Sequence, residues 1–391
     1  MQTLDASGPS ENSVSQFGQN ASSSQNVQFN PVGLDGVEFV EYGGPDAKFF
    51  SKLFLAYGFK EVASIAGQQI QLYRQGDINF IINSQPGTFA ADFSKAHGPS
   101  ISSTGFRVHD AEKAFQVAVQ RGARPYEGSL QQKGGLNLRA VYGIGDSLIY
   151  FVDKKLADRL YSETFQVSAS DRNPVGVGLK VVDHFTNNVP VGEMQKWCDF
   201  YTNVFNFRET RYFDIRGQKT GLISKVMRSP CNKFAVPINE PSDPKSQIQE
   251  YLNEYHGSGI QHVALLTNNI IGTLETLKSS KLEFLTPPPQ SYYQMLQERV
   301  PNVQEDIDRL QKNAILVDGD HDGYLLQIFS KNIIGPIFFE LIQRQNHTGF
   351  GEGNFQALLF FKVTFRNSLM PLSCVFPLRV LVHDTCTFPL S

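Results

Sequence analysis

The sequence predicts an α+β architecture in which a strand–helix–strands unit is used four times, two units per half. Each pair closes an open, curved mixed sheet around a cavity, with its helices outside. Three observations carry this. Strand-like runs alternate with amphipathic helical stretches along the chain. Their order in the first half returns in the second. Three strand-like runs of the second half, evenly spaced, each hold an ionisable residue in apolar surroundings: His184 in Val181–Phe185, His262 in Ile260–Ala264 and Glu340 in Ile337–Ile342.

In the first half, Leu34–Val40 reads as a strand. Asp46–Gly58 reads as a helix, with Phe49, Phe50, Leu53 and Tyr57 on one face. Gln69–Tyr73 and Ile78–Ile82 are strands joined by a Gln-Gly-Asp turn. Ser103–Val108 is a strand, and Asp110 caps a helix over Ala111–Arg121 that ends at Gly122. Leu136–Val141 and Ser147–Val152 complete the set. The second half opens with strand Leu179–Phe185 and helix Glu193–Phe205, whose face carries Met194, Trp197, Cys198, Tyr201 and Phe205. Strands Gly221–Met227 and Lys233–Ile238 follow, then a helix from Ser246 with Ile248, Tyr251, Leu252 and Tyr255 inward. The strand Ile260–Ala264 and helix Ile270–Leu277 precede a long polar insertion and strands Tyr324–Phe329 and Ile337–Gln343. This order divides the chain into a tail at 1–31, a first barrel at 32–153, a linker at 154–174, a second barrel with a lid at 175–358, and a tail at 359–391.

With 391 residues the chain is long enough for two domains with large cores. A net charge of -3 gives no electrostatic reason to expect nucleic acid or an anionic membrane as partner. Cys198, Cys231, Cys374 and Cys386 are spaced for neither a disulfide framework nor a zinc knuckle. There is no apolar run of about 18 residues of the kind that spans a membrane. Residues 1–30 are rich in Ser, Gln and Asn and carry no Lys or Arg, unlike a secretory signal or a mitochondrial presequence. A disordered tail and a cytoplasmic location are expected.

Two histidines and one carboxylate on three strands form the ligand set of a facial triad, which holds non-heme Fe(II) and leaves its other positions open. A buried histidine can also be a core residue bonded to backbone. Glu340 is harder to explain so: an ionised carboxylate inside Ile-Phe-Phe-Glu-Leu-Ile costs several kcal/mol unless paired or metal-bound. Alternation puts Phe338 on the face of Glu340, and Gln327 with Phe329 on one face of the preceding strand. Gln261 points away from His262 on a regular strand and shares its cavity only if the strand bulges. Laid over the second half, the first offers Val37, Thr104, and Tyr150 or Phe151 opposite the three ligands, so the first half is scaffold. In Thr348–Phe355, glycines alternate with aromatics; no Lys follows to suit a phosphate cradle, and a lid over the cavity is the preferred reading.

The runs VDHFTNNV, FNFRETRYFDIRG, VPINEP, GIQHVALLT, TPPPQSYYQML, LLQIFS, FFELIQR and GFGEGNFQAL resemble 4-hydroxyphenylpyruvate dioxygenase, from about Val32 to Leu358 and most densely after His184. The resemblance implies tandem vicinal-oxygen-chelate (glyoxalase-like) barrels, with one Fe(II) per chain held in the second by His184, His262 and Glu340. It implies conversion of 4-hydroxyphenylpyruvate and O2 to homogentisate and CO2 in tyrosine catabolism. By match of motif, Ser224, Asn239, Gln247 and Gln261 take catalytic or substrate-orienting places. Pro237, Gln327, Phe329 and Phe338 take the substrate wall, and Phe350, Asn354 and Phe355 the closing segment. A homo-oligomer, dimer or tetramer, is expected. The rival hydroxymandelate synthase uses the same substrate and iron; Phe355, Pro237 and Asn239 are the residues that set this sequence apart from it.

After Leu358 the chain departs from the family pattern. The tail has no Glu, one Asp and three prolines, where the family continues as a charged helix. A shifted frame, a retained intron or an alternative terminus would account for it. Two further readings follow: a folded, iron-binding isoform that turns over little, and a zinc or nickel isomerase on the same fold, which would consume no oxygen.

Overall fold

The computed structural model describes residues 29–128, 138–216 and 221–354. Its first sheet is built from β1 (Leu34–Gly43), β2 (Lys60–Ser64), β3 (Ile70–Gln75), β4 (Ile78–Asn83), β5 (Ser100–Val108), β6 (Pro125–Tyr126), β7 (Ala140–Tyr142) and β8 (Leu148–Val152). Its second is built from β9 (Leu179–Asn188), β10 (Arg208–Arg216), β11 (Gly221–Arg228), β12 (Ala235–Pro241), β13 (Gly259–Thr267), β14 (Leu316–Gly319), β15 (Tyr324–Phe329) and β16 (Phe338–Gln345). The strand orders, β2-β3-β4-β1-β5-β8-β7-β6 and β10-β11-β12-β9-β13-β16-β15-β14, are the same topology used twice. In each, the first and fourth strands pair in parallel, as do the fifth and eighth, and the first and fifth join the two units antiparallel. The edge strands β2, β6, β10 and β14 were not foreseen, and residues 129–137, where the predicted strand at Leu136 begins, lie outside the described residues.

The helices follow their caps. Asp46 accepts from the amide of Phe49 and starts α1 (Ala47–Ala56). Its buried residues are Phe50 and Phe54, while Phe49 is 38% exposed. This corrects the predicted face: the helix turns one position further, and Phe54 rather than Phe49 joins Tyr57 in the core. Thr88 caps α2 (Phe89–His97), an element absent from the expected order, and Asp110 caps α3 (Ala111–Gln120) as expected. After α4 (Lys154–Arg159), Leu160 and Phe165 pack on the first sheet, so the expected linker is a packed strap. The second half adds α5 (Met194–Phe205), and α6 (Gln247–Tyr255), which buries Ile248, Tyr251, Leu252 and Tyr255 as its periodicity requires. Next come α7 (Ile270–Leu277) and the short α8 (Gln290–Gln294), α9 (Leu296–Arg299) and α10 (Ile307–Lys312) of the polar insertion. Among the described residues no helix is long and apolar enough to cross a membrane.

The two sheets share a core on the faces opposite their cavities. Phe339, which alternates with Glu340 on β16, packs against Tyr57, Phe80 and Tyr42 of the first half at ring separations of 5.1, 5.8 and 6.4 Å. The inner faces differ. In the first sheet Phe39, Leu72, Ile81, Leu148 and Tyr150 fill the space with side chains. Register also corrects the predicted correspondence. Gly105 pairs with Phe39 and Tyr150, as Ala264 pairs with His184 and Glu340. Ser103 follows a one-residue bulge, as His262 does. The counterparts of His184, His262 and Glu340 are therefore Phe39, Ser103 and Tyr150. A Cβ on Gly105 would lie 2.6 Å from the Phe39 ring, so the glycine is what lets that ring occupy the cavity.

Candidate metal centre

Three adjacent strands carry the triad. Ala264 on β13 pairs with His184 on β9 and with Glu340 on β16, and its methyl leaves room between them. His262 lies two residues along β13 on the same face. The carboxylate Oε2 of Glu340 is 3.3 Å from Nε2 of His184 and 3.3 Å from Nε2 of His262. One ligand atom from each residue lies within 4.8 Å of the other two, and each residue is only 2% exposed. An exposed grouping at Asp320, His321 and Asp322 also gathers donor atoms, but the Asp320 carboxylate accepts from the amides of its own turn.

Both imidazoles are held from behind. Asp183 Oδ1 accepts from His184 Nδ1 at 2.8 Å, and Gln261 Oε1 accepts from His262 Nδ1 at 3.2 Å. The second contact exists because β13 shifts register between Ile260 and His262, the bulge that Gln261 requires. With Nδ1 donating, Nε2 of each ring is the atom turned to the shared point. Glu340 Oε1 accepts from Gln327 Nε2 at 3.4 Å. The arginine of β16, Arg344, does not pair with Glu340; it grips Asp183 through two hydrogen bonds of 2.8 and 2.7 Å.

Electrostatics follow this geometry. Burial pushes the Glu340 carboxyl up, but the two imidazoles outweigh it and hold it below the usual carboxylate range. Burial likewise opposes ionisation of Asp183, and the Arg344 guanidinium with the His184 N–H holds it well below that range. At His184 burial acts downward and is outweighed by Glu340 and Asp183, whereas burial dominates at His262 and lowers it. Two imidazole nitrogens with a carboxylate oxygen are a donor set that fits a divalent first-row metal.

The walls are aromatic. Phe338 stacks on His262 at 4.7 Å, Phe329 stands edge-on to Phe338 at 6.1 Å, and Phe350 stands edge-on to His184 at 5.1 Å. Phe350 also clusters with Phe213, Val226 and Ala235. Asn354 Nδ2 donates to Gln327 Oε1 at 3.1 Å, and Asn354 Oδ1 accepts from Tyr292 at 2.8 Å. The loop read as a lid is thus seated on the cavity. Gly351 has φ +78°, and a Cβ there would overlap the Gln327 amide.

Register brings Ser224, Pro237 and Asn239 to the same face as His184: Ser224 pairs with Asn239, Asn239 with Asn188, and Ala235 with His184. Asn239 Nδ2 donates to Asn188 Oδ1 at 3.2 Å. Gln247 differs: it is exposed on the first turn of α6 and makes no described contact with the triad. Phe355 lies outside the described residues. The sequence reading missed Asp183, Arg344, Ala264 and Tyr292. Asp183 was detectable as a second charge in an apolar strand, but its partner sits 161 residues away.

The chain matches a model of the hydroxyphenylpyruvate dioxygenase N-terminal domain over residues 29–166, and a model of the glyoxalase/bleomycin resistance protein/dioxygenase superfamily over residues 181–328. It is 47% identical to protein MelA of Shewanella colwelliana, across 84% of this chain and 94% of that one. It is 45% identical to 4-hydroxyphenylpyruvate dioxygenase of Legionella pneumophila (strain Corby), with the same coverage. Among solved structures, a xylose isomerase-like TIM barrel/4-hydroxyphenylpyruvate dioxygenase fusion protein superposes with TM-score 0.72 and 29% identity, covering 84% of this chain and 52% of that one. A triple mutant of 4-hydroxymandelate synthase from Streptomyces coelicolor gives TM-score 0.72 and 25% identity over 85% of this chain and 100% of that one.

Proposed function

The chain belongs to the 4-hydroxyphenylpyruvate dioxygenase family, and on that footing we propose that it converts 4-hydroxyphenylpyruvate and O2 to homogentisate and CO2 with one ferrous iron held by His184, His262 and Glu340. The observation that carries this is the convergence of two Nε2 atoms and a carboxylate oxygen under an aromatic wall. Zinc or nickel would fit the same donors, and the family favours iron. Iron bound there would supply the activation of dioxygen; the substrate supplies all the electrons dioxygen takes up, one pair from oxidative decarboxylation of its 2-oxo acid and one pair from hydroxylation of its ring, so no separate reductant is required.

The chain's own residues do the rest. Asp183 and Gln261 keep both Nε2 atoms aimed at one point. Phe329 and Phe338 hold the substrate ring flat beside it, and Ser224, Asn239 and Gln327 offer polar contacts for the ring's hydroxyl end. Pro237 narrows that end, and Phe350 and Asn354 exclude water from above. Gln247 takes a substrate-orienting place by match of motif, on the exposed first turn of α6. The barrel at 32–153 is scaffold and that at 175–358 is catalytic, and the working form is a homo-oligomer in the cytoplasm.

Oxygen uptake with 4-hydroxyphenylpyruvate and Fe(II), with product identified by chromatography, tests this. Homogentisate as main product is expected. Hydroxymandelate would move the chain to the rival reaction, against which Pro237 and Asn239 on the inner face speak. Substrate binding without oxygen uptake would favour the slow isoform, and uptake-free turnover with zinc or nickel the isomerase.

A further inference from the structure

Arg344 holds four residues at once. Nε and Nη2 donate to the two oxygens of Asp183. Nη1 donates to the carbonyls of His347 at 3.2 Å and Gly349 at 2.6 Å. Its guanidinium carbon lies 5.2 Å from the centre of the Phe350 ring. Asp183 accepts from His184, and Phe350 returns to His184 edge-on. The contacts close a circuit from ligand imidazole to carboxylate, guanidinium, closing segment and back to the imidazole. A second tether joins Glu340 through Gln327 and Asn354 to Tyr292, at the far end of the same segment.

We propose that Asp183 and Arg344 are positioning residues that couple the orientation of His184 to the seating of residues 347–354, so that metal binding and closure of that segment favour each other. This rests on the triad being the metal site. The physical reason lies in the guanidinium: its planar fork binds a carboxylate in one plane and keeps a further N–H pair for backbone carbonyls, which a lysine ammonium cannot do from one point. Tilting His184 to meet a metal therefore moves the anchor of Gly349, and seating Phe350 fixes His184. Coupling of this kind is reciprocal. If the ion pair between β9 and β16 were purely structural, its loss would instead lower stability and leave any response of the segment to metal intact.

The test uses the full chain and its Arg344→Lys and Asp183→Asn variants, with Co(II) as the probe. Affinity is read from the cobalt absorption bands, and closure from hydrogen exchange of residues 345–354 with and without Co(II). In the unmodified chain Co(II) is expected to slow exchange in that segment. Each variant is expected to bind Co(II) about 10- to 100-fold more weakly, with altered bands, and to lose the metal-dependent slowing while the strands exchange as before. Unchanged affinity with metal-dependent slowing retained, in whichever variant keeps its strand protection, overturns the coupling and leaves the metal site standing. Co(II) uptake by the unmodified chain without any change in segment exchange does the same. No Co(II) uptake at all removes the metal site, and this inference with it.

Discussion

Glu340 is the residue on which the site turns. A carboxylate buried this deeply is tolerated only because two imidazoles and the Gln327 amide surround it. Glu340→Gln keeps the shape and removes the charge. It is expected to weaken Fe(II) binding by at least about 100-fold and to bring oxygen uptake to background, as read from iron content after dialysis and from an oxygen electrode; a variant retaining full iron would contradict the ligand assignment. Gln261 acts one step back, through Nδ1 of His262. Gln261→Ala is expected to weaken metal binding about 10-fold, which isothermal titration would register.

At the scale of elements, β13 does two jobs. Its bulge turns Gln261 back to His262, and Ala264 spaces His184 from Glu340. Ala264→Val puts two extra methyl groups where the ligand atoms converge. The expected result is a folded chain, destabilised by about 1–3 kcal/mol, with metal affinity lost out of proportion; urea unfolding and metal titration on the same sample separate the two effects. The closing segment depends in the same way on one backbone position. Gly351→Ala meets both a positive φ and the Gln327 amide. Residues 347–354 should then become more susceptible to limited proteolysis, with kcat reduced and metal affinity lowered alongside it, because seating of the segment and metal binding are coupled.

The whole molecule is one topology filled in two ways. Where the second sheet places His184, His262 and Glu340, the first places Phe39, Ser103 and Tyr150, and its polar centre moves to Glu41. The Glu41 carboxylate accepts from Asn83 at 2.7 Å and from Ser103. Burial outweighs these bonds and raises its pKa. The folded chain therefore keeps the Glu41 proton to higher pH than the unfolded chain does. Stability from this group is intact below the ordinary glutamate value and is lost as pH rises through the folded one. Glu41→Gln, with a similar hydrogen-bonding shape, is expected to match the unmodified chain near pH 4 and to exceed it at pH 7.5, by about 1.4 kcal/mol for each unit of upward shift. A difference independent of pH in urea unfolding would show that Glu41 is not strained by burial.

Local patterns were enough for most of the elements, for the duplication and for picking out His184, His262 and Glu340, which the fold brings together. Apolar periodicity is written in neighbouring residues, as in α6, and a charge isolated in an apolar strand announces itself without reference to any partner, as Glu340 does. Register and pairing are different, because they depend on which strands meet. The bulges that make Ser103, not Thr104, the counterpart of His262 are invisible along one strand. So is the hold of Arg344 on Asp183 across the sheet, and so is the exposure of Gln247. Packing against a second surface settles these, and that surface exists only once the chain has folded back on itself.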